Sequence, residues 1–380
     1  MIPWLLVSGD FSLSGGMDRA NLALATHLAD DPDVELHLVT HRAAPELVEA
    51  DHVRVHLARR PFGSHLLGEP FLSRQGAVWA ARVASRGGRV VVNGGNCPWL
   101  DVSWVHYVHA AYEPEHRTSL VRRVKGRFRR GRDLTHERRN LTRARLAVCN
   151  SRRTQRDLVE RLAVPLSRTR VIYYGIDRER FALVGPDEVR AARQALGWPA
   201  DRRHILFIGA LGDRRKGFDT LFEAWAELCR EPSWDGHLVV AGAGAEQPLW
   251  RRRFAQAGLA SRATFLGFRE DVERLVAASD ALVHPARYEA YGLGVHEALC
   301  RGVPALVSAD AGVAERYPPE LADLLIQDPE SAGELAGRLR AWRERRDGVR
   351  RLLRPFADRL RERSWDDMAA DIVAAVRSAA

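Results

Sequence analysis

The chain has 380 residues, 46% of them apolar and 28% charged, with a formal net charge of +9 and four cysteines. That size and composition exclude a disordered polymer and a disulfide-stapled mini-domain, and suit two soluble domains of ordinary size. No run approaches the roughly 18 apolar residues of a membrane span. The cysteines, at 97, 149, 229 and 300, make neither a CxxC nor a zinc-ligand spacing and read as reduced thiols of a cytosolic protein.

In chain order, "WLLVSGD" opens as an apolar strand ending in a turn; it lacks the basic segment and long apolar run of a signal peptide. "MDRANLALATHLAD" follows with Leu22, Ala25 and Leu28 on one helical face. "VELHLVT", "GRVVVNGG", "DVSWVHYVH" and "TRARLAVCNS" read as strands, and "SRRTQRDLVERLAV" as a helix capped by Ser151. After "TRVIYYGID" the pattern breaks at Gly and Pro, then resumes. The strands of the second half are "HILFIGA", "HLVVAGAG", "TFLGF", "ALVHPA" and "PALVSA", with "LADLLIQ" as a candidate sixth. Helical patterns separate them, "ESAGELAGRLRAWRERR" reads as a surface helix, and "SWDDMAADIVAAVRSAA" as a last helix capped at Ser364. Strands alternating with helices predict parallel sheets covered on both faces. The economical architecture is α/β, two Rossmann-like domains facing across a cleft: residues 1–183, residues 184–360, and a carboxyl-terminal helix at 361–380.

The charge is local. Residues 117–145 hold twelve Lys/Arg against Asp133 and Glu137, so the rest of the chain is close to neutral. Such a stretch suits an anionic membrane surface, an acidic partner or plain solvation. Nucleic acid is disfavoured, since no helix-turn-helix, zinc finger or aromatic-studded RNA motif accompanies it.

Loops after the predicted strands carry the chemistry. Gly15 and Gly16 precede a helix, where missing side chains let a ligand approach backbone N–H groups. "FIGALGDRRKGFDTL" places Arg214, Arg215 and Lys216 between a strand and a helix, an arrangement suited to a diphosphate; Lys216 leads as the phosphate ligand. The GxxxxGK[ST] spacing of an ATPase loop is missing, and Gly242 and Gly244 in "VVAGAG" fall short of a dinucleotide fingerprint. In "PARYEAYGLGVHEALCRG", Glu289 precedes a helix start at Gly292 and Gly294, and Glu297 lies one to two turns into that helix. A span of about 12 Å across eight helical residues has the scale of a nucleotide sugar. Ionised carboxylates are pure acceptors, so Glu289 suits sugar hydroxyls and Glu297 a ribose diol. The amides of Tyr291, Gly292, Leu293 and Gly294 then face the diphosphate. No metal ligand set is read, and there is no DxD pair at a strand end.

Over nearly its full length the chain resembles the retaining glycosyltransferases of family 4, with the two-Rossmann-domain B fold. The motifs are Glu289 and Glu297 with seven residues between them within "YEAYGLGVHEAL", "SGGMDRA", "VIYYGIDRERF" and "FIGALGDRRKGFDTLFEA". The resemblance implies transfer of a sugar, with retention, from a nucleoside diphosphate sugar to an acceptor hydroxyl. The base (UDP, GDP, ADP or TDP) and the acceptor (lipid-linked, phosphorylated or saccharide) stay open. It also implies a donor-side carboxyl domain, an acceptor-side amino domain, a last helix crossing back to the amino domain, and no tightly bound cofactor. His109 matches the amino-domain histidine that touches the donor sugar, with His106 as the alternative. Lys216 matches the phosphate-binding lysine, whereas Ala210 stands where the family has arginine, leaving Arg214 or Arg215 to supply that charge. Catalytic roles thus fall on His109, Lys216 and Glu289. The expected location is cytoplasmic, with peripheral attachment to the inner membrane face through residues 117–145. The rival readings are an epimerase or hydrolase of nucleotide sugars, a glucan-extending synthase, and a non-catalytic nucleotide-sugar or anionic-surface binding protein.

Overall fold

The computed structural model describes residues 1–13, 15–113, 120–212 and 214–379, without the side chains of 65, 120–125 and 127–129. The described residues form two compact units: residues 1–113, 120–175 and 363–379 make the first, and residues 176–362 the second.

Each unit is built on a parallel sheet. In the first the spatial order of strands is Val53–Leu57, Val34–Thr40, Ile2–Val7, Arg89–Asn93, Val102–Val105, Leu146–Cys149, Thr169–Val171. All six pairings are parallel. The chain winds outward in one direction from Ile2–Val7, returns to its other side with Arg89–Asn93, and then winds the opposite way. In such doubly wound sheets the crevice beyond the strand ends at that reversal is where ligands sit. The second unit repeats the plan with the order Ala263–Gly267, Gly236–Ala241, Arg203–Ile208, Ala281–His284, Ala305–Ser308, Leu325–Ile326, again all parallel. Its reversal lies between Arg203–Ile208 and Ala281–His284.

Strands buried on both faces explain the unbroken apolar runs that mark them in the sequence. Leu5, Val7, Val90 and Val92 belong to one core, and Ile205, Phe207, Leu238, Val240, Leu282 and Leu306 to the other. The helix "ESAGELAGRLRAWRERR" does not stop there: it runs from Ala332 through Pro355 to Arg361 and buries Leu335, Leu339, Trp342, Leu353 and Phe356. Its arginines stay on the partly or fully exposed side while every third or fourth residue enters the core, the pattern of an amphipathic surface helix. The helix Trp365–Ser378 begins with a capping box, Ser364 against Asp367, and packs within the first unit, where His27 Nδ1 lies 2.6 Å from Asp366 Oδ1.

Part of the basic stretch forms the helix Leu120–Leu141, while residues 117–119 lie outside the described residues. Several of its described arginines are engaged by the protein itself: Arg132 pairs with Glu69, Arg145 with Asp101, and Arg130 Nη2 donates to the Tyr112 carbonyl at 3.4 Å. Among the described residues no helix is long and apolar enough to cross a membrane.

Candidate functional site

The second unit's switch point collects the loops after Arg203–Ile208 and Ala281–His284. Residues 214–216 make one 3-10 turn beyond the first strand. What holds that turn is Arg287, from the other loop. Its main-chain N–H donates to the Arg215 carbonyl at 2.8 Å and its Nη1 to the Arg214 carbonyl at 2.5 Å. The same guanidinium pairs with Asp219 at 2.7 Å and with Glu330. Burial disfavours the Asp219 charge, but Arg287 and Arg214 outweigh it and hold the carboxyl below its usual range. Gly217 seals the junction. Its φ is +67°, and a Cβ there would stand 1.8 Å from the Pro285 carbonyl oxygen, so no other residue fits.

With the loops clamped, Lys216 and Glu289 meet. The ammonium contacts Glu289 Oε2, and the His284 Nε2 lies 2.9 Å from the same oxygen. Both partners of the Lys216–Glu289 pair are largely buried, with 15% and 14% of their side chains exposed. Burial opposes ionisation of Glu289, yet the Lys216 charge and the His284 hydrogen bond overcome it and hold the carboxyl far below the ordinary range. His284 itself is kept neutral by burial and by Lys216. Arg215 stands beside them, adding its charge to the field at Glu289 and donating from Nη1 to the Tyr288 carbonyl at 3.4 Å. Arg214 turns the other way, with Nε 2.7 Å from Asp219 and Nη2 3.0 Å from Glu330. Of the two arginines left open by sequence, Arg215 is therefore the one at the Glu289 cluster.

Immediately downstream the helix Leu293–Cys300 begins, with Gly292 as its left-handed N-cap. The approach to it is fixed by Gly312 N–H on the Glu289 carbonyl at 3.1 Å and Val313 N–H on that of Tyr291 at 2.8 Å. Leu293 and Gly294 supply the helix's first amides, which lack partners further along the helix and carry its positive end. The Tyr291 ring is core, its hydroxyl 2.9 Å from His296 Nδ1, so only its backbone belongs to this edge. Glu297 lies on the same helix and is 2% exposed. Gly242 has a structural reason for lacking a side chain: its φ is +146° and a Cβ would meet the Gly209 carbonyl oxygen at 1.9 Å. That contact, between two adjacent strand ends, requires glycine without any ligand.

The first unit's switch point holds a cavity of about 440 Å³. It is lined by the ends of four strands and by three helices: Gly9 and Asp10, His41, Asn93 to Asn96, His106, Tyr107 and His109, and Asp18, Glu69 and Glu137 among others. The strand containing the two histidines is shorter than its sequence suggests. It ends at Val105, and His109 opens a 3-10 turn. The pair therefore do not face opposite sides of a strand; both line this cavity. Glu137 sets the turn, accepting the N–H groups of His109 at 2.7 Å and Ala110 at 2.9 Å, while burial pushes its own carboxyl up to about 7. His109 is exposed, and His106 is buried against Tyr174 and held neutral by that burial, its pKa lowered to about 3. Gly15 caps the helix Gly16–Ala29, whose first turn also carries Asp18. A carboxylate at that position opposes an anion at the same helix end.

Two residues escaped the sequence reading. His284 had no local signal, because a histidine at a buried strand end is indistinguishable from a core residue. Arg287 follows the strand by three positions, and only the fold shows that it reaches back across to 214–216.

The family model described as "Glycosyl transferases group 1" matches residues 188–360, and the one described as "Glycosyltransferase Family 4" matches residues 14–180. The chain belongs to this glycosyltransferase family. The glycosyltransferase is 26% identical over 394 aligned positions to a D-inositol 3-phosphate glycosyltransferase of Salinispora tropica, covering 95% of this chain and 80% of that one. Its fold matches WaaG, a glycosyltransferase involved in lipopolysaccharide biosynthesis, with a TM-score of 0.75 and 21% identity over 98% of this chain and 99% of that one. It also matches Anabaena HepE, solved with UDP-glucose, with a TM-score of 0.73 and 19% identity over 100% of both chains.

Proposed function

We propose that this glycosyltransferase moves a sugar, with retention at the anomeric carbon, from a nucleoside diphosphate sugar to an acceptor hydroxyl. The second unit holds the donor and the first holds the acceptor. One observation carries the donor half: Lys216 and Glu289 are brought into contact at a strand-order reversal, directly before a helix amino end. An ammonium has three N–H donors, so Lys216 can keep Glu289 and grip a phosphate oxygen together. Arg215 and the amides of Leu293 and Gly294 complete the grip, Glu289 takes sugar hydroxyls, and Glu297 takes the ribose. Gly15, Gly16 and His109 are the first unit's contribution. HepE binds UDP-glucose, which makes the uridine compound the first donor to test.

In the step proposed, the bond between the anomeric carbon and the phosphate oxygen breaks and its electron pair leaves with the diphosphate. The acceptor oxygen bonds to the same face of that carbon. Its proton passes to the departing phosphate oxygen. Lys216, Arg215 and the helix-start amides stabilise the charge that develops there, without any metal in the scheme.

A thermal-shift panel of UDP, GDP, ADP and TDP with their sugars tests the donor assignment, since a ligand specific for the folded state raises its stability. Stabilisation by one base, followed by an NMR-defined product of unchanged anomeric configuration, is expected. Free sugar or an epimer as sole product means a hydrolase or epimerase instead, and binding without turnover on any acceptor means a binding protein. The relative named for D-inositol 3-phosphate supports a small polyhydroxylated ring as acceptor. Attachment of residues 117–145 to anionic lipid is part of the same proposal, and equal sedimentation with neutral and anionic vesicles would rule it out.

A further inference from the structure

The helix His65–Ala84 is apolar on two sides. Its inner side is core, supplied by Leu72, Ala80 and Val83. Its outer side breaks the usual pattern. Leu67, Phe71 and Val78, at i, i+4 and i+11, share one face, and with Leu66 beside them they are 41% to 46% exposed. Pro70 and Ala81 are exposed on the same side. A spacing that normally marks a buried stripe is here turned to the surface. Just ahead of the helix, Phe62 is 98% exposed and sits at φ +53°, a region that disfavours a bulky side chain. A strained and wholly exposed phenylalanine adds nothing to the packing of its own chain.

An exposed apolar face of this kind marks an interaction surface, and its charges say of what kind. Arg74 and Arg82 are exposed on it, the Arg82 guanidinium 4.8 Å from the Trp79 ring. Glu69 is the only acid between residues 52 and 100. Standing two positions from Leu67, it points away from the face, to Arg132 and to His136 at 3.3 Å. Apolar side chains flanked by arginine and free of carboxylates suit the interface of an anionic bilayer. There the apolar groups enter the acyl boundary and the guanidinium heads stay with the phosphates. A second copy of the chain would bring the same arginines and no acid to meet them, which disfavours self-association. The face also leads to the first unit's cavity. Leu66 and Met17, 41% and 43% exposed, both line it, so apolar side chains stand where it opens, while carboxylates, imidazoles and the amides of Asn93 and Asn96 line the rest.

We propose that the outer face of His65–Ala84, with Phe62 ahead of it, seats in the interface of an anionic lipid bilayer, and that the acceptor is lipid-linked, its hydroxylated head entering the cavity past Leu66 and Met17. The acceptor clause rests on the transferase reading and selects one of its open acceptor classes. The membrane clause adds a surface separate from residues 117–145.

Cosedimentation of the full chain with vesicles of phosphatidylcholine alone, and of phosphatidylcholine mixed with phosphatidylglycerol, tests the face. Binding to the mixed vesicles is expected. Phe62→Ser/Leu67→Ser/Phe71→Ser should weaken it about tenfold or more, and Phe62→Ser alone, which removes no packing from the folded chain, about threefold. Both variants leave residues 117–145 intact. Undiminished binding of the variants, equal binding to the two vesicle types, or no binding by the unaltered chain overturns the membrane clause. So does a dimer in sedimentation velocity that the triple variant abolishes, which would make the face a contact between copies. For the acceptor, labelled sugar on the nucleotide that stabilises the chain is offered to the lipid extract and to the aqueous extract of the source cells. Label in a lipid product is expected, and label confined to water-soluble product overturns the acceptor clause. Label in neither, with vesicle binding intact, means that the transferase reading fails while the membrane face stands.

Discussion

The two units share a plan and oppose each other in chemistry. Both place a site where strand order reverses, beyond the carboxyl ends of parallel strands. In the second unit the reversal presents Lys216, Arg215 and the amino end of the helix Leu293–Cys300, with Glu289 locked between Lys216 and His284. In the first it presents carboxylates and imidazoles, with no lysine or arginine among the described lining residues. On the proposed function the second unit's crevice takes the diphosphate, while the described lining of the first offers it no such cation. A sheet reversal thus provides a place, and the loops decide the ligand.

The sharpest way to break the comparison is to remove the second unit's charge. Lys216→Met is expected to lower transfer about a thousandfold, as loss of a group that stabilises developing charge does. Because it strands buried Glu289, the double variant Lys216→Met/Glu289→Gln checks folding by thermal melting; breaking one side of such a pair costs about 3 kcal/mol. Gly217→Ala attacks the clamp instead. With a Cβ forced against the Pro285 carbonyl at 1.8 Å, a loss of about 2 kcal/mol or more of stability is expected, together with donor-induced stabilisation. Glu137→Gln releases one of the two N–H groups that set the His109 turn, so kcat should fall about tenfold while nucleotide-sugar affinity is unchanged.

The smallest effect expected is on pH. Burial, with Asp10 adding to it, raises Asp18 to about 6, against the opposing Arg42 and Arg60 charges. Because its folded-state pKa lies above the ordinary carboxyl value, Asp18 opposes folding while ionised, and that penalty fades as pH falls through about 6; the gain in Tm between about pH 7 and 5 should therefore be smaller in Asp18→Asn. Glu137, raised to about 7 by burial, protonates over part of the same range but is turned to backbone N–H groups, and His106, lowered to about 3, stays neutral.

The second unit was legible because its chemistry is local. Strand, cationic turn and helix follow one another within 203–228, and Glu289 to Glu297 within a single loop and helix, so spacing alone pointed to a diphosphate site. The two sheets were legible for the same reason, as apolar runs alternating with helical periodicity. The first unit's cavity was not, since Asp10, Asp18, Asn93, His106 and Glu137 come from distant segments that only the parallel order assembles. Burial was equally invisible. Nothing local distinguishes Arg287 from Arg214, yet one clamps the loop and its side chain is 8% exposed. Nor could Gly242 be told apart from a ligand-facing glycine without the neighbouring Gly209 carbonyl.

A crystal structure with the bound nucleotide sugar tests the central claim most directly. Its diphosphate is predicted within about 3.5 Å of Lys216 Nζ and the Leu293 and Gly294 amides, a normal hydrogen-bonding reach, with a sugar hydroxyl on Glu289. A donor bound elsewhere, with Lys216 still committed only to Glu289, would contradict it.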